Sequence, residues 1–247
     1  VHEMRKLAKV AMGAGFGAAG ERCMAISAVV AVTDSVADAL VTRLSAAMPE
    51  LSIGNGMQEQ VDMGPLISAE HRQRVSSYLQ LGVEEGAELV VDGRQRLSDL
   101  PSQGHFLGAS LFDRVQPSMR IYQEEIFGPI IVVLRCPDFE SALTMVNAHQ
   151  YGNGAAIFTE SGAVAQEFSM RVQAGMVGIN VPIPVPVATH AFGGWKQSCF
   201  GDSALHGIEG IRFYTKSKSI TTRWSHQSGM NVGFNMPTHN ELQGEGQ

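Results

Sequence analysis

Apolar residues fall at helical spacing from Met4 through Leu7, Ala8 and Ala11 to Met12, and Gly13, Gly15 and Gly17 then interrupt the pattern. The spacing predicts a first helix that the glycines end. Ala25–Val32, AISAVVAV, is an unbroken apolar run closed by Thr33-Asp34. Its length and β-branched content predict a strand buried on both faces, as in a parallel sheet. Val36, Leu40 and Leu44 share one face of the helix expected next, with Asp34 or Ser35 as its cap. Turns follow at Gly54-Asn55-Gly56 and Gly64-Pro65. Ser68 then caps a polar helix expected to end near Gly82 or Gly86, with His71 where a full capping box would carry an acid or amide.

Further along, Glu88–Asp92 and Ile130–Leu134 read as strands, and Asp138 or Ser141 opens a helix through Val146. Ala155–Thr159 is a strand, Ala163–Val172 a helix, and Val177–Val181 a strand that runs into Pro182, Pro184 and Pro186. Strands alternating with helices of about ten residues predict an α/β domain over residues 1–206, built on a mainly parallel open sheet with flanking helices. From Gly207 the pattern changes. Ile211–Trp224, IRFYTKSKSITTRW, partly alternates apolar and polar positions, which predicts a long exposed strand within residues 207–225. Its unpaired edge would need a cover, most naturally another subunit. Residues 226–247 form a polar, Gly-rich tail.

Composition narrows the function classes. Hydrophobic residues make up 44% of the 247 positions, enough for a substantial core, and charged residues only 17%. The net charge of -6 and the lack of a basic patch argue against a nucleic-acid partner. No apolar run approaches the ~18 residues of a membrane span. Three widely spaced cysteines, Cys23, Cys136 and Cys199, argue against a disulfide framework. The histidines show no HxxxH-type spacing, so no metal site is expected. The chain opens on Val1 within a helical pattern, which reads as a piece of a longer protein or as a processed chain.

Three stretches could carry chemistry. FGAAGERCMA delivers Cys23 from a Gly/Ala-rich segment just before a strand, with Arg22 beside it to favour the thiolate. Taken alone, Cys23 reads more readily as a small buried hydrophobe. Glu124-Glu125-Ile126-Phe127-Gly128-Pro129 sets paired carboxylates at the entrance of IIVVL, where one could accept hydrogen bonds from ribose hydroxyls; a solvated acidic pair is the plainer reading. Asn180–Pro186 is a proline-stiffened loop after a strand, and Phe192-Gly193-Gly194 follows it. Phe192 could wall a substrate pocket, or the whole stretch could be structural.

Together and in this order, these stretches resemble the aldehyde dehydrogenase superfamily. GERCMA is similar to its cysteine motif, EEIFGP to its glutamate-phenylalanine motif and AFGGWKQS to its aromatic-glycine motif. Cys23 and Glu125 stand 102 positions apart, which also suits the family. FGAAGERCMAIS, IGNGMQEQVDMGPLIS, YGNGAAIF and VGINVPIPVPV resemble its CoA-acylating, methylmalonate-semialdehyde branch, in which Arg before the cysteine is typical.

The resemblance implies the catalytic domain of such an enzyme, with Cys23 as nucleophile and NAD as hydride acceptor. Glu125 would hold the nicotinamide ribose with Phe127 packed nearby, Arg22 would pair with the carboxylate of a malonate-type semialdehyde, and Phe192 would lie near the substrate. Coenzyme A would take the acyl group as co-substrate, with decarboxylation; a hydrolytic relative would instead release a free acid. An isolated domain that only assembles is the reading from another class. His71 and Arg74 match a segment that approaches the cofactor but receive no role. The family's NAD-binding domain would precede Cys23, outside these residues, so this stretch alone is expected to fold without turning over. The resemblance further implies a homo-oligomer, cytoplasmic in a bacterium or mitochondrial in a eukaryote, whose oligomerisation strand is the one expected within residues 207–225.

Overall fold

A computed structural model describes residues 2–96, 100–101, 103–222 and 224. The first helix, α1 (His2–Phe16), runs through Gly13 and Gly15 rather than stopping there. The reason is close packing. A side chain at Gly15 would place its Cβ 2.5 Å from the Ile131 Cδ1, so glycine lets the helix lie directly on a strand. Strand β1 (Ala28–Val32) begins three residues later than its apolar run, because Ala25 donates its N–H to the loop carbonyl of Arg22 and Ile26 to the Ala14 carbonyl in the last turn of α1. Helix α2 (Asp34–Ala47) buries Leu40 and Leu44 of the face read from the sequence, with Ala37 buried in place of Val36, which is half-buried.

Helix α3 (Ala69–Glu84) is capped by the Ser68 hydroxyl, which accepts from the His71 N–H at 3.1 Å. Strand β2 (Glu88–Val91) leads to β3 (Ser110–Asp113), a fully buried four-residue strand without sequence signal of its own. A single turn, α4 (Arg120–Gln123), precedes β4 (Ile130–Cys136). Helix α5 (Phe139–Ala148) is capped by Asp138. Short strands β5 (Tyr151–Gly152) and β6 (Gly154–Ile157) follow, then α6 (Gly162–Arg171), β7 (Met176–Ile179) and β8 (Trp195–Lys196).

Four strands form one sheet in the order β1-β4-β3-β2, with β1 and β3 parallel to β4 and β2 antiparallel to β3. Ala28 pairs with Val132 and Val32 with Cys136. Residues Ile130–Leu134 of β4 are wholly buried, and the main core gathers around them from α1, α2 and α3. β6 and β7 pair in parallel beside a second, smaller core of Leu143, Phe168, Val172 and Ala174. At the C-terminal ends of β3 and β4, buried Asp113 receives two hydrogen bonds from Arg135, which also pairs with Asp34 and Asp38.

The strand expected within residues 207–225 is not present in the described residues. Gly207–Tyr214 forms helix α7 instead, and this closes the compact unit that extends to Tyr214. Ile208 and Ile211 stand three apart, a spacing that also suits a helix, and a helix satisfies its own N–H groups where a lone strand cannot. Residues 215–222 and Trp224 carry no regular structure, and the tail at 226–247 lies outside the described residues.

Candidate active site

β1 and β4 are parallel neighbours, so their entry loops emerge at the same edge of the sheet. One entry loop carries Cys23 and the other Glu125–Pro129. Topology therefore brings together two motifs 102 positions apart.

The cysteine loop leaves α1 through a left-handed turn at Ala18 (φ 53°), Ala19 (φ 54°) and Gly20 (φ 73°). A Cβ at Gly20 would stand 2.2 Å from the Gly128 carbonyl oxygen, so the two loops touch backbone to backbone. Cys23 is exposed, Cys136 buried and Cys199 half-buried. Arg22 turns back beneath the loop. Its Nη2 donates to the carbonyls of Gly13 at 2.7 Å and Ala14 at 2.8 Å, while its buried Nε finds no partner among the described residues. Arg22 thus caps the end of α1 beneath Cys23.

Glu21 could oppose thiolate formation from two residues away. Its carboxylate is engaged elsewhere: Oε1 accepts from the Ile67 N–H and lies 3.2 Å from His71 Nε2. The same His71 nitrogen lies 2.7 Å from the Phe127 carbonyl oxygen. Both neighbours are acceptors, so the tautomer with hydrogen on Nε2 satisfies them.

Helix α3 fixes the glutamate loop as well. Arg74 donates to the carbonyls of Glu125 at 2.6 Å and Ile126 at 2.9 Å. Glu124 accepts from the Tyr78 hydroxyl at 2.6 Å and from Arg120 at 2.7 Å. The Arg120 hydrogen bond, then that of Tyr78, holds the Glu124 carboxyl below its ordinary range. Glu125 is different. It is exposed, and its carboxylate makes no hydrogen bond or ion pair among the described residues. Phe127, at φ 59°, is 37% exposed. One glutamate of the pair anchors the loop, and the other is presented outward.

The aromatic-glycine motif reaches the cysteine loop through Asn153. The Asn153 side-chain nitrogen donates to the Cys23 carbonyl at 2.8 Å, and Gly194 packs against the same side chain. Phe192 is half-buried, exchanges backbone hydrogen bonds with Leu205 and stacks on His206 at 5.6 Å. Lys196 donates to the carbonyls of Asn147 at 2.7 Å and His149 at 3.0 Å, which ties the motif to the end of α5. Among the described residues no hydrogen bond or ion pair joins the side chains of Arg22, Cys23 and Glu125 to one another. Nor does any group of three or more His, Cys, Asp or Glu residues form a metal cluster, and no helix is long and apolar enough to cross a membrane.

The family model for the aldehyde dehydrogenase family matches residues 2–220. The chain belongs to the aldehyde dehydrogenase family. Within it, the chain is 52% identical over 217 residues to the malonate-semialdehyde dehydrogenase of Pseudomonas aeruginosa, covering 88% of this chain and 44% of that protein. It is 47% identical over 222 residues to malonate-semialdehyde dehydrogenase 2 of Shouchella clausii, covering 90% of this chain and 45% of that protein. The crystal structure of a methylmalonate-semialdehyde dehydrogenase from Oceanimonas doudoroffii superposes with a TM-score of 0.87 at 46% identity, over 91% of this chain and 46% of that one. A betaine aldehyde dehydrogenase from Staphylococcus aureus in complex with NAD+ superposes at 0.80 with 32% identity, over 86% of this chain and 41% of that one. The chain thus spans a little under half the length of the curated relatives it matches.

Against this family frame, the residues that sequence reasoning missed are those that hold the motifs in place. His71, Arg74 and Tyr78 lie at i, i+3 and i+7 on one face of α3 and serve one loop. That spacing of polar residues was a readable signal. Asn153 and Lys196 bond to backbone carbonyls of distant segments, and such contacts leave no local pattern.

Proposed function

We propose that this chain forms the thiol-bearing part of an NAD-dependent dehydrogenase that converts malonate or methylmalonate semialdehyde to an acyl-CoA with loss of carbon dioxide. The observation that carries this reading is the meeting of the Cys23 loop with the Glu125–Pro129 loop, backbone against backbone at Gly20 and Gly128. The 52% identity to a malonate-semialdehyde dehydrogenase supports the substrate class.

The Cys23 thiolate adds to the aldehyde carbon, and the carbonyl oxygen becomes an oxyanion facing the Cys23 N–H. NAD, when bound beside Glu125 and Phe127, would supply the acceptor for the hydride of that carbon. Loss of hydride leaves a thioester on Cys23. The thiol of coenzyme A, losing its proton, then attacks the acyl carbon, and the Cys23 thiolate departs. The substrate carboxylate leaves as carbon dioxide, and a proton takes its place on the adjacent carbon. Glu125 suits the dinucleotide because its carboxylate is exposed and unengaged while Arg74 holds its backbone. It would accept from ribose hydroxyls, with the Phe127 ring alongside. Arg22 offers Nη1 to the substrate carboxylate, since Nη2 serves Gly13 and Ala14. Phe192 forms part of the substrate wall. The exposed apolar side chains of α7, Ile208, Ile211 and Phe213, face another subunit of a homo-oligomer.

The test follows NADH formation and the acyl product by mass spectrometry, with and without coenzyme A, in the whole dehydrogenase of which this chain would be the thiol-bearing part. Acetyl-CoA or propionyl-CoA, lost in Cys23→Ala, is the expected product. Free acid formed equally fast without coenzyme A overturns the acyl-transfer step. Alkylation of Cys23 no faster than that of Cys199 overturns the nucleophile.

A further inference from the structure

Asn153 lies between β5 and β6, 130 positions from Cys23 in sequence, yet its Nδ2 donates to the Cys23 carbonyl at 2.8 Å and lies 3.2 Å from the Met24 sulfur. Both partners are acceptors, so the side chain must present its amide nitrogen here and not its oxygen. The segment carrying it is rigid. Its own carbonyl accepts from the Met176 N–H at 3.1 Å, and the preceding Gly152 is tied to the Ser198 hydroxyl at 3.1 Å. On the far side, a Cβ at Gly154 would meet the Met24 Cε at 2.4 Å, so the chain there is packed against the residue after the nucleophile. A Cβ at Gly194 would come within 3.1 Å of the Asn153 Oδ1. One side chain thus touches the cysteine loop and the aromatic-glycine motif.

We propose that Asn153 is a positioning residue for the nucleophile: its amide anchors the Cys23 carbonyl and fixes the peptide plane from which the thiol projects. The Arg22 guanidinium holds the loop on the N-terminal side of Cys23, and Asn153 holds it on the C-terminal side. The role rests on Cys23 as nucleophile. It gives the polar amide between the two glycines of YGNGAAIF a specific partner on the cysteine loop.

Two variants test it, with iodoacetamide alkylation of Cys23 followed across pH. Asn153→Asp replaces a donor with a carboxylate beside the Cys23 peptide. A negative charge next to the Cys23 peptide in a partly exposed site should raise the alkylation midpoint of Cys23 by about half to one pH unit and leave Cys199 unmoved. Asn153→Leu removes the donor and keeps the bulk. It should leave the Cys23 midpoint in place while hydrogen exchange of peptides spanning 17–27 quickens roughly tenfold and that of α3 stays unchanged. An unmoved Cys23 midpoint in N153D, or unchanged exchange of the cysteine loop in N153L, overturns the proposal. If one variant does not fold, the other carries the test. Neither readout depends on turnover, so absence of semialdehyde oxidation would refute the proposed function and leave this result intact.

Discussion

Gly20→Ala is the sharpest probe of how the two loops meet. The substitution acts in two ways. Alanine at φ 73° carries the left-handed penalty of a Cβ, about 1–2 kcal/mol. The new carbon would also sit 2.2 Å from the Gly128 oxygen, 2.5 Å from its carbonyl carbon and 3.0 Å from the Pro129 nitrogen, all backbone atoms beside a rigid proline. Forcing the loops apart should cost a further 1–3 kcal/mol or so, as overpacking of a tight contact does. Gly86 provides the control, since it has φ 93° but nothing within 4 Å of an added Cβ. Gly86→Ala therefore carries only the conformational penalty, and the difference between the two variants isolates the contact. With an m-value of roughly 3 kcal/mol per molar urea for a unit of this size, the midpoints should separate by about 0.3–1 M. G20A should also change the alkylation rate of Cys23, and G86A should not. Equal urea midpoints for the two variants would refute the loop contact.

Other outcomes follow from named side chains. Arg74→Met keeps the stem but loses both donors to the glutamate loop; stability should fall by about 1–2 kcal/mol, measured by urea unfolding. Arg22→Lys ends one bond short of Nη2, so its ammonium does not reach both the Gly13 and Ala14 carbonyls, and thermal unfolding should report a loss of about 1 kcal/mol. Asp113→Asn should cost about 2–3 kcal/mol, because Asp113 is 3% exposed, whereas Asp34→Asn at the rim of the same network should cost under about 0.5 kcal/mol. Burial alone would raise the Asp113 carboxyl, but the hydrogen bonds from Arg135 and the Arg114 N–H outweigh it and hold the pKa below the ordinary range. That contribution is present in full above the unfolded value of about 4 and is lost as pH falls through the lower folded value, so the D113N deficit should shrink in acid denaturation curves below about pH 4.

The parts of this molecule legible in the sequence are those whose pattern is local. The runs in β1 and β4 are continuous and β-branched, the face of α2 repeats at helical spacing, and Ser68 and Asp138 cap as their chemistry suggests. The motifs around Cys23 and Glu125 were legible as family motifs, but the meeting of their loops depends on β1 pairing with β4, a long-range choice. β3 is too short to show a period, and its Ser110 and Asp113 are polar. The glycines of α1 mislead because propensity counts their entropy and not the room that Gly15 leaves for Ile131. At α7, IRFY fits a strand and a helix alike, and in a single chain the helix satisfies more of its backbone. Arg22 carries a charge that suggested a ligand, while its geometry serves the carbonyls of α1 first.

The parallel pairing of β1 with β4 has a kinetic consequence. Neither loop of the site can be formed by its own neighbourhood, since closure of the intervening chain of about a hundred residues must come first. The Cys23 thiol therefore acquires its surroundings only when the sheet's central register locks. During refolding, protection or activation of Cys23 should trail the appearance of helical signal, making this one cysteine a clock for the slowest contact in the domain.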